Sequence, residues 1–208
     1  MFLNTNNFFV SMANVLITTI YSVESIVLAI TRFSIDRVFL LSSQEFDEKQ
    51  QEALKQVKDN YSKVLEIKEK KIPVYDIVKI TEKCVELIDA IPNKDKIFIN
   101  ITPSRKTQAI GLLYAAYKRA KLIHKIIYIS EEKNEIITLP VLEFLITESQ
   151  QQVLENLKPE QSIMDLANKV KQSKAMLYRN IKELKEKGLI EESPKGLALT
   201  DAGKIARM

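Results

Sequence analysis

The sequence predicts an α/β fold: a parallel sheet with helices on both faces, followed by a smaller α+β unit. Three observations carry this. From Ala13 to Leu139, short runs rich in Ile and Val alternate with longer segments whose apolar residues recur at helical spacing. That alternation stops between Pro140 and Thr147. Beyond it come three helical segments, a helix-terminating glycine, and two short apolar stretches around a Pro/Gly tip.

Each element has its own signal. Ala13 to Ile20 (ANVLITTI) is a β-rich run without charge, as a strand buried on both faces requires. Val23, Ile26, Val27, Ile30 and Phe33 then fall on one helical face. Asp36 to Ser42 is a second strand, and Asp47 to Leu65 a long polar helix with Leu54, Val57, Tyr61, Val64 and Leu65 on one side. Glu66 to Val74 is a third strand whose Lys and Glu content marks it for a sheet edge. Asp76 to Ile91 is a helix closed by Pro92-Asn93. Lys96 to Thr102, Arg105 to Leu122, Lys125 to Ser130 and Ile136 to Leu139 read as strand, helix, strand and strand, the last two joined by a charged turn over Glu131 to Glu135. Such alternation is Rossmann-like. Residues 1–12 have no period and read as an N-terminal extension, 13–139 as one domain, 140–147 as a linker, and 148–208 as a second domain.

Composition narrows the chemistry. Cys84 and His124 are the single cysteine and histidine, which excludes an internal disulfide, thiolate metal clusters, His triads and multi-His zinc sites. No metal or cofactor is therefore expected, and a reducing cytoplasm fits. The apolar stretch from Phe8 to Ile30 is broken by Asn14, Thr18, Thr19, Ser22 and Glu24, so neither a membrane span nor a signal peptide is expected.

In the second domain, Ser149 to Leu157, Ser162 to Val170 and Lys174 to Lys187 are helical. Ser162, with Asp165 three residues on, and Ser173 are candidate N-caps, and Gly188 stands where a left-handed residue ends a helix. Leu177, Ile181 and Leu184 face inward, which turns Lys174, Ala175, Tyr178, Arg179 and Lys182 outward. Between Lys171 and Lys187 stand six basic residues against two acidic ones, a local excess suited to phosphate contact although the whole chain carries only +4. Leu189-Ile190, the tip Ser193-Pro194-Lys195-Gly196 and Leu197 to Thr200 describe a wing, and a last short helix begins at Thr200. The run LANKVKQSKAMLYRNIKELKEKGLI, a wing and LTDAGK resemble the winged helix-turn-helix regulators of the MarR and ArsR type. The resemblance implies that Ser173, Ala175, Met176, Tyr178 and Arg179 face the major groove of double-stranded DNA. Lys171, Lys174, Lys182 and Lys195 would lie nearer to phosphates. A homodimer on two half-sites is the expectation that goes with it.

In the first domain, ligands are expected at the carboxyl ends of strands, near the point where strand order reverses. Two such ends are polar: Thr18-Thr19-Ile20-Tyr21-Ser22, and Asn100-Ile101-Thr102-Pro103-Ser104-Arg105-Lys106-Thr107 at a helix N-terminus. Hydroxyls, backbone N–H groups and two cations suit an anion, while the missing glycines exclude a P-loop and a GxGxxG fingerprint. The second segment resembles the strand end NxTGG of the CARF family, the sensor domains associated with CRISPR systems; Asn100, Thr102, Arg105 and Lys106 stand in the corresponding places, with Pro103-Ser104 replacing the glycine pair. The resemblance implies a dimer that binds cyclic oligoadenylate, most often the tetra-adenylate. Thr18, Thr19, Ser22, Asn100, Thr102, Ser104, Arg105 and Lys106 are the candidate contacts. With a winged helix it is the architecture of archaeal CRISPR-associated transcription regulators, acting in antiviral defense.

The leading expectation is thus a ligand-responsive regulator bound to promoters of CRISPR–Cas genes. One alternative is a metal-independent ring nuclease using Ser22 and Lys106 to align a 2′-hydroxyl with its neighbouring phosphate. Another is a winged-helix regulator sensing an ordinary metabolite.

Overall fold

The computed structural model describes residues 12–208 except Glu131, Phe144 and Lys195, so residues 1–11 of the expected extension and the wing-tip Lys195 lie outside the described residues. The elements are β1 (Asn14–Thr19), α1 (Glu24–Arg32), β2 (Arg37–Ser43), α2 (Glu48–Tyr61), β3 (Glu66–Ile72), α3 (Ile77–Asp89), β4 (Lys96–Asn100), α4 (Lys106–Lys118), a 3-10 turn (Ala120–Leu122), β5 (Ile123–Ile129) and β6 (Ile136–Leu139). Then follow α5 (Glu148–Asn156), α6 (Ile163–Val170), α7 (Lys174–Glu186), β7 (Ile190–Ser193), β8 (Gly196–Leu199) and α8 (Asp201–Arg207).

One six-stranded sheet runs in the order β3-β2-β1-β4-β5-β6. The first five strands are parallel, and β6 is antiparallel to β5, Ile129 pairing with Ile136. This corrects the expectation of a wholly parallel sheet. The connection over 130–135 is too short for a crossover helix, so β6 can only turn back beside β5 as a hairpin. As its charges predict, β3 is an edge. Val15, Ile17, Leu41, Ile97 and Ile99 face α3 and α4, whereas Leu16, Leu40, Phe98 and Ile127 face α1 and α2. Period-two strands therefore supply both layers of core, and the helices cover both faces. No helix among the described residues is long and apolar enough to cross a membrane.

α3 and α4 pack closely because Gly111 leaves room: a Cβ there would sit 2.4 Å from Ile80 Cγ2. Gly111→Ala is expected to cost about 1–3 kcal/mol through overpacking, read as a lower urea midpoint at unchanged slope. At the β3 edge, Glu69 accepts from the Ser42 hydroxyl at 2.7 Å and from Lys58 at 3.0 Å. Burial opposes ionisation of Glu69, but these bonds outweigh it and hold its pKa below the ordinary glutamate value. A depressed folded-state pKa contributes stability above the unfolded value that is lost as pH falls through the folded one. Urea midpoints of wild type and Glu69→Gln are therefore expected to differ at pH 7 and to converge below about pH 4.

The third core joins α5 to α8, with Val153, Leu154, Leu166, Leu177, Leu184 and Ala206 buried together. Side-chain caps set its helices. Thr147 and Gln150 form a reciprocal capping box on α5, Ser162 caps α6, Ser173 caps α7 and Thr200 caps α8. After α7, Gly188 takes φ +69°, the left-handed value its position predicts. β7 and β8 form a two-stranded antiparallel hairpin. α8 then lies against α3 and α4.

Candidate functional site

Strand order reverses at β1: β2 lies on one side of it and β4 on the other, and Thr18 stands level with Asn100. The polar ends of β1 and β4 are thereby neighbours at the place where an open α/β sheet holds ligands. A cleft of about 550 Å³ opens there, walled by Tyr21, Ser22, Glu24 and Ser25 after β1, Thr102 to Ser104 after β4, Ile129 at the end of β5, and Ser130 and Asn134 beyond it.

Asn100 organises the loop. Fully buried, it accepts through Oδ1 from the Thr102 backbone N–H at 3.1 Å and the Thr102 hydroxyl at 2.7 Å. The Thr102 hydroxyl in turn accepts from the Ile129 N–H at 2.8 Å, so the β4 loop is tied to β5. Ser25 is 6% exposed, lines the cleft, and its Oγ has no hydrogen-bond partner. A buried hydroxyl without a partner beside an opening is a group that a ligand can satisfy. α4 begins two residues beyond the wall residue Ser104; its N-cap Arg105 makes no side-chain cap, and Ser104 Oγ donates to the Arg105 carbonyl. A helix N-terminus of this kind attracts anions.

The eight sequence-predicted ligand residues do not all meet. Ser22, Thr102 and Ser104 line the cleft, and Asn100 lies behind its wall. Thr18 and Thr19 are fully buried; Thr18 Oγ1 donates to the Thr19 carbonyl, and Thr19 Oγ1 has no partner. Arg105 is drawn away, bonded to the Asp47 carboxylate and the Tyr75 hydroxyl, each at 3.1 Å. Those two partners, Asp47 first, raise the pKa of its guanidinium further. Lys106 is exposed and is not among the wall residues. Sequence reading missed Tyr21, Ser25, Ser130 and Asn134. Ser130 was read as the end of a strand and Asn134 as part of a charged turn, and Asn134 sits at φ +53°.

Among the described residues no group of three or more His, Cys, Asp or Glu could hold a metal. Burial pushes the Cys84 thiol up to about 12, which leaves it inert. His124 is exposed, its ring edge-on to Phe98 at 5.0 Å.

On the C-terminal unit, Lys171, Ser173, Lys174, Ala175, Met176, Tyr178, Arg179 and Lys182 are all exposed, seven of them along α7 and its cap. Arg179 is held by Glu183 at 2.9 Å, and Lys182 approaches Glu186 at 3.9 Å, both exposed pairs that a stronger anion can displace. Lys171 takes φ +52° at the end of α6. Asn180, which sequence reading did not single out, is buried and donates to Gln172, whose own amide donates to the Ser149 carbonyl. The turn between α6 and α7 is thus fixed to α5.

Residues 15–134 match the family model HFX_2341_N-like, N-terminal, over more than half of the chain. The chain belongs to that family. Residues 141–208 are similar to the N-terminal domain of the methanogenesis regulatory protein FilR1. Among solved structures, Can2 from Sulfobacillus thermosulfidooxidans, in complex with cyclic tetra-adenylate, superposes with TM-score 0.51 at 15% identity, covering 93% of this chain and 61% of that one. Protein VC1899 from Vibrio cholerae gives TM-score 0.50 at 10% identity, covering 93% and 64%. The chain spans about three fifths of the length of those two solved chains. At such identities the likeness establishes a shared fold, a mostly parallel Rossmann-like sheet with flanking helices. No curated protein matches.

Proposed function

We propose that this chain is a ligand-responsive, DNA-binding transcription regulator of CRISPR–Cas genes that senses a cyclic oligoadenylate, foremost the tetra-adenylate, at the dimer interface of its sensor domain. The carrying observation is the polar cleft at the switch point, with the uncapped start of α4, the hydroxyls of Ser22, Thr102, Ser104 and Ser130, and the unpartnered Ser25 hydroxyl. The Ser22, Ser25 and Ser130 hydroxyls can donate to phosphate and ribose oxygens, whereas those of Thr102 and Ser104 already donate to Asn100 Oδ1 and the Arg105 carbonyl. Likeness in fold to a chain solved with cyclic tetra-adenylate supports the ligand class. Likeness of residues 141–208 to a regulatory protein supports the output. We read residues 148–208 as a winged helix-turn-helix, with α7 as recognition helix and β7–β8 as wing, residues 13–139 as the sensor, and 140–147 as the linker.

A homodimer belongs to this reading. Among the described residues the cleft wall carries no cation and one carboxylate, Glu24, so a polyanion needs charge from elsewhere. On α4, Ile110 and Tyr114 are exposed beside α8, while Leu113 and Tyr117 pack against the core. Next to the cleft, the cross-strand pair Tyr128–Ile137 is exposed too. Covering these surfaces with a second copy brings the cations of that copy toward the ring. Ring cleavage is the weaker reading, because Ser22 lines the cleft and Lys106 does not.

Titration with cyclic tetra-adenylate tests the sensor. A ligand present at 100 times its Kd is expected to add about 2.7 kcal/mol of stability, visible as a raised Tm. Gel shifts on DNA upstream of the coding gene, against random duplex at moderate salt, test the output. An unchanged Tm with every cyclic oligoadenylate removes the ligand assignment, and equal binding to random duplex removes operator-specific regulation.

A further inference from the structure

The contact between the sheet body and the C-terminal unit is built unlike the rest of the molecule. On the body side, α4 is locked to α3 through Gly111, where no side chain fits against Ile80. On the other side, α8 is locked to the turn between α7 and β7 through Gly203, where a Cβ would lie 1.9 Å from the Leu189 carbonyl oxygen. Between them lies an apolar gap of about 440 Å³, walled by Ile77, Ile110 and Tyr114 from α3 and α4 and by Asp201, Ala202 and Ile205 from α8.

At the far end of the gap the two bodies are joined by polar bonds. Lys118, at the end of α4, donates to the Ala206 carbonyl and to Gln151 Oε1, the latter at 3.3 Å. Arg119 donates to the Met208 carbonyl at 2.9 Å while its guanidinium forks onto Asp89 at 2.6 and 2.8 Å. Gln151 of α5 donates to the Arg207 carbonyl at 2.9 Å. The last carbonyls of α8, which no helical turn can satisfy, are thus capped by side chains, two of them at the end of α4, whose start follows the cleft loop. Burial, and then the neighbouring Arg119 charge, holds the Lys118 pKa below the ordinary lysine value, so this cation is kept at a cost.

We infer that Lys118, with Arg119 and Gln151, forms a clamp through which α4 transmits the state of the cleft to the C-terminal unit. α4 runs from the loop that follows β4 to the carbonyls of α8, with the gap beside it. The transmission half rests on the function proposed above, and the clamp half does not.

Hydrogen exchange on the full chain separates the two. Without ligand, Lys118→Met keeps the aliphatic stem but removes the donor, and α8 amides are expected to exchange at least about tenfold faster while β1 and β4 stay protected. Gln151→Ala is expected to give the same pattern more weakly, and it remains informative if the first variant folds poorly. With cyclic tetra-adenylate, wild type is expected to change exchange in α5 to α8. Lys118→Met is expected to bind the ring with unchanged affinity and to lose that distant response. Unaltered α8 exchange in both ligand-free variants overturns the clamp, and an intact distant response in Lys118→Met overturns transmission through it. Absence of ring binding by wild type removes the proposed function instead, and the inference then stands or falls on the ligand-free comparison.

Discussion

Gly203→Ala is expected to unfold the C-terminal unit while leaving the sheet intact. The added methyl would meet the Leu189 carbonyl oxygen at 1.9 Å, its carbon at 3.0 Å and its Cα at 3.4 Å, all main-chain atoms. A flexible side chain could swing aside; a peptide group already bonded cannot. The Leu189 carbonyl accepts from the Thr200 N–H at 3.2 Å, and the Thr200 hydroxyl donates to the Gly188 carbonyl at 2.6 Å while accepting from the Gly203 N–H at 3.0 Å. Making room would break that set and pull Ile205 and Ala206 out of the core. The expected loss is about 3 kcal/mol or more, at the upper end of overpacking costs. Gly188→Ala is the control. Its neighbourhood is empty within 4 Å, so the cost is the left-handed backbone alone, about 1–2 kcal/mol. The chain has no tryptophan, so far-UV circular dichroism in urea reads the transitions, and hydrogen exchange localises the early one to α5–α8.

The importance of Gly203 was not legible in the sequence, whereas that of Gly188 was. Gly188 follows a periodic helix and precedes an apolar pair, a local pattern with a local cause. Gly203 matters because a carbonyl fourteen residues earlier crosses the first turn of α8, and no local pattern records that. The same distinction runs through the sheet. Charges on Glu66 to Lys71 placed β3 at an edge correctly, because solvation is local chemistry. The reversed direction of β6 was readable from the shortness of the turn over 131–135, yet the alternation of strands and helices before it favoured a parallel reading.

The site divides in the same way. Strand ends at Thr18 and Asn100 were recognisable as polar, and their standing level in the sheet follows from the pairing of β1 with β4. Arg105 carried no such mark. Its sequence neighbours made it a ligand cation, but Asp47 and Tyr75, delivered by the loops after β2 and β3, compete for it in the folded chain. Ser25 was hidden inside an amphipathic helix pattern, where a small polar residue looks like surface; its burial and empty hydroxyl emerge only once α1 lies across the end of the sheet.

Asn100 is where these observations meet, and Asn100→Leu is expected to cost both stability and ligand affinity. Leucine nearly matches the volume but removes the acceptor for two Thr102 donors, at 3.1 and 2.7 Å. Each buried donor left without a partner costs about 1–3 kcal/mol, and the Thr102 hydroxyl can still turn to another acceptor, so a loss of about 2–4 kcal/mol is expected in urea titrations. The affinity for cyclic tetra-adenylate is expected to fall at least about tenfold, since a loop displaced by an ångström no longer presents its hydroxyls and N–H groups together. Thr102→Val attacks the same joint from the other side and also strips the Ile129 N–H of its acceptor. The two substitutions share one bond, so the double variant is expected to be more stable than the sum of single losses predicts, by roughly 0.5–3 kcal/mol. Strict additivity would mean that Asn100 and Thr102 act separately, and that the loop owes its shape to Pro103 and the start of α4 instead.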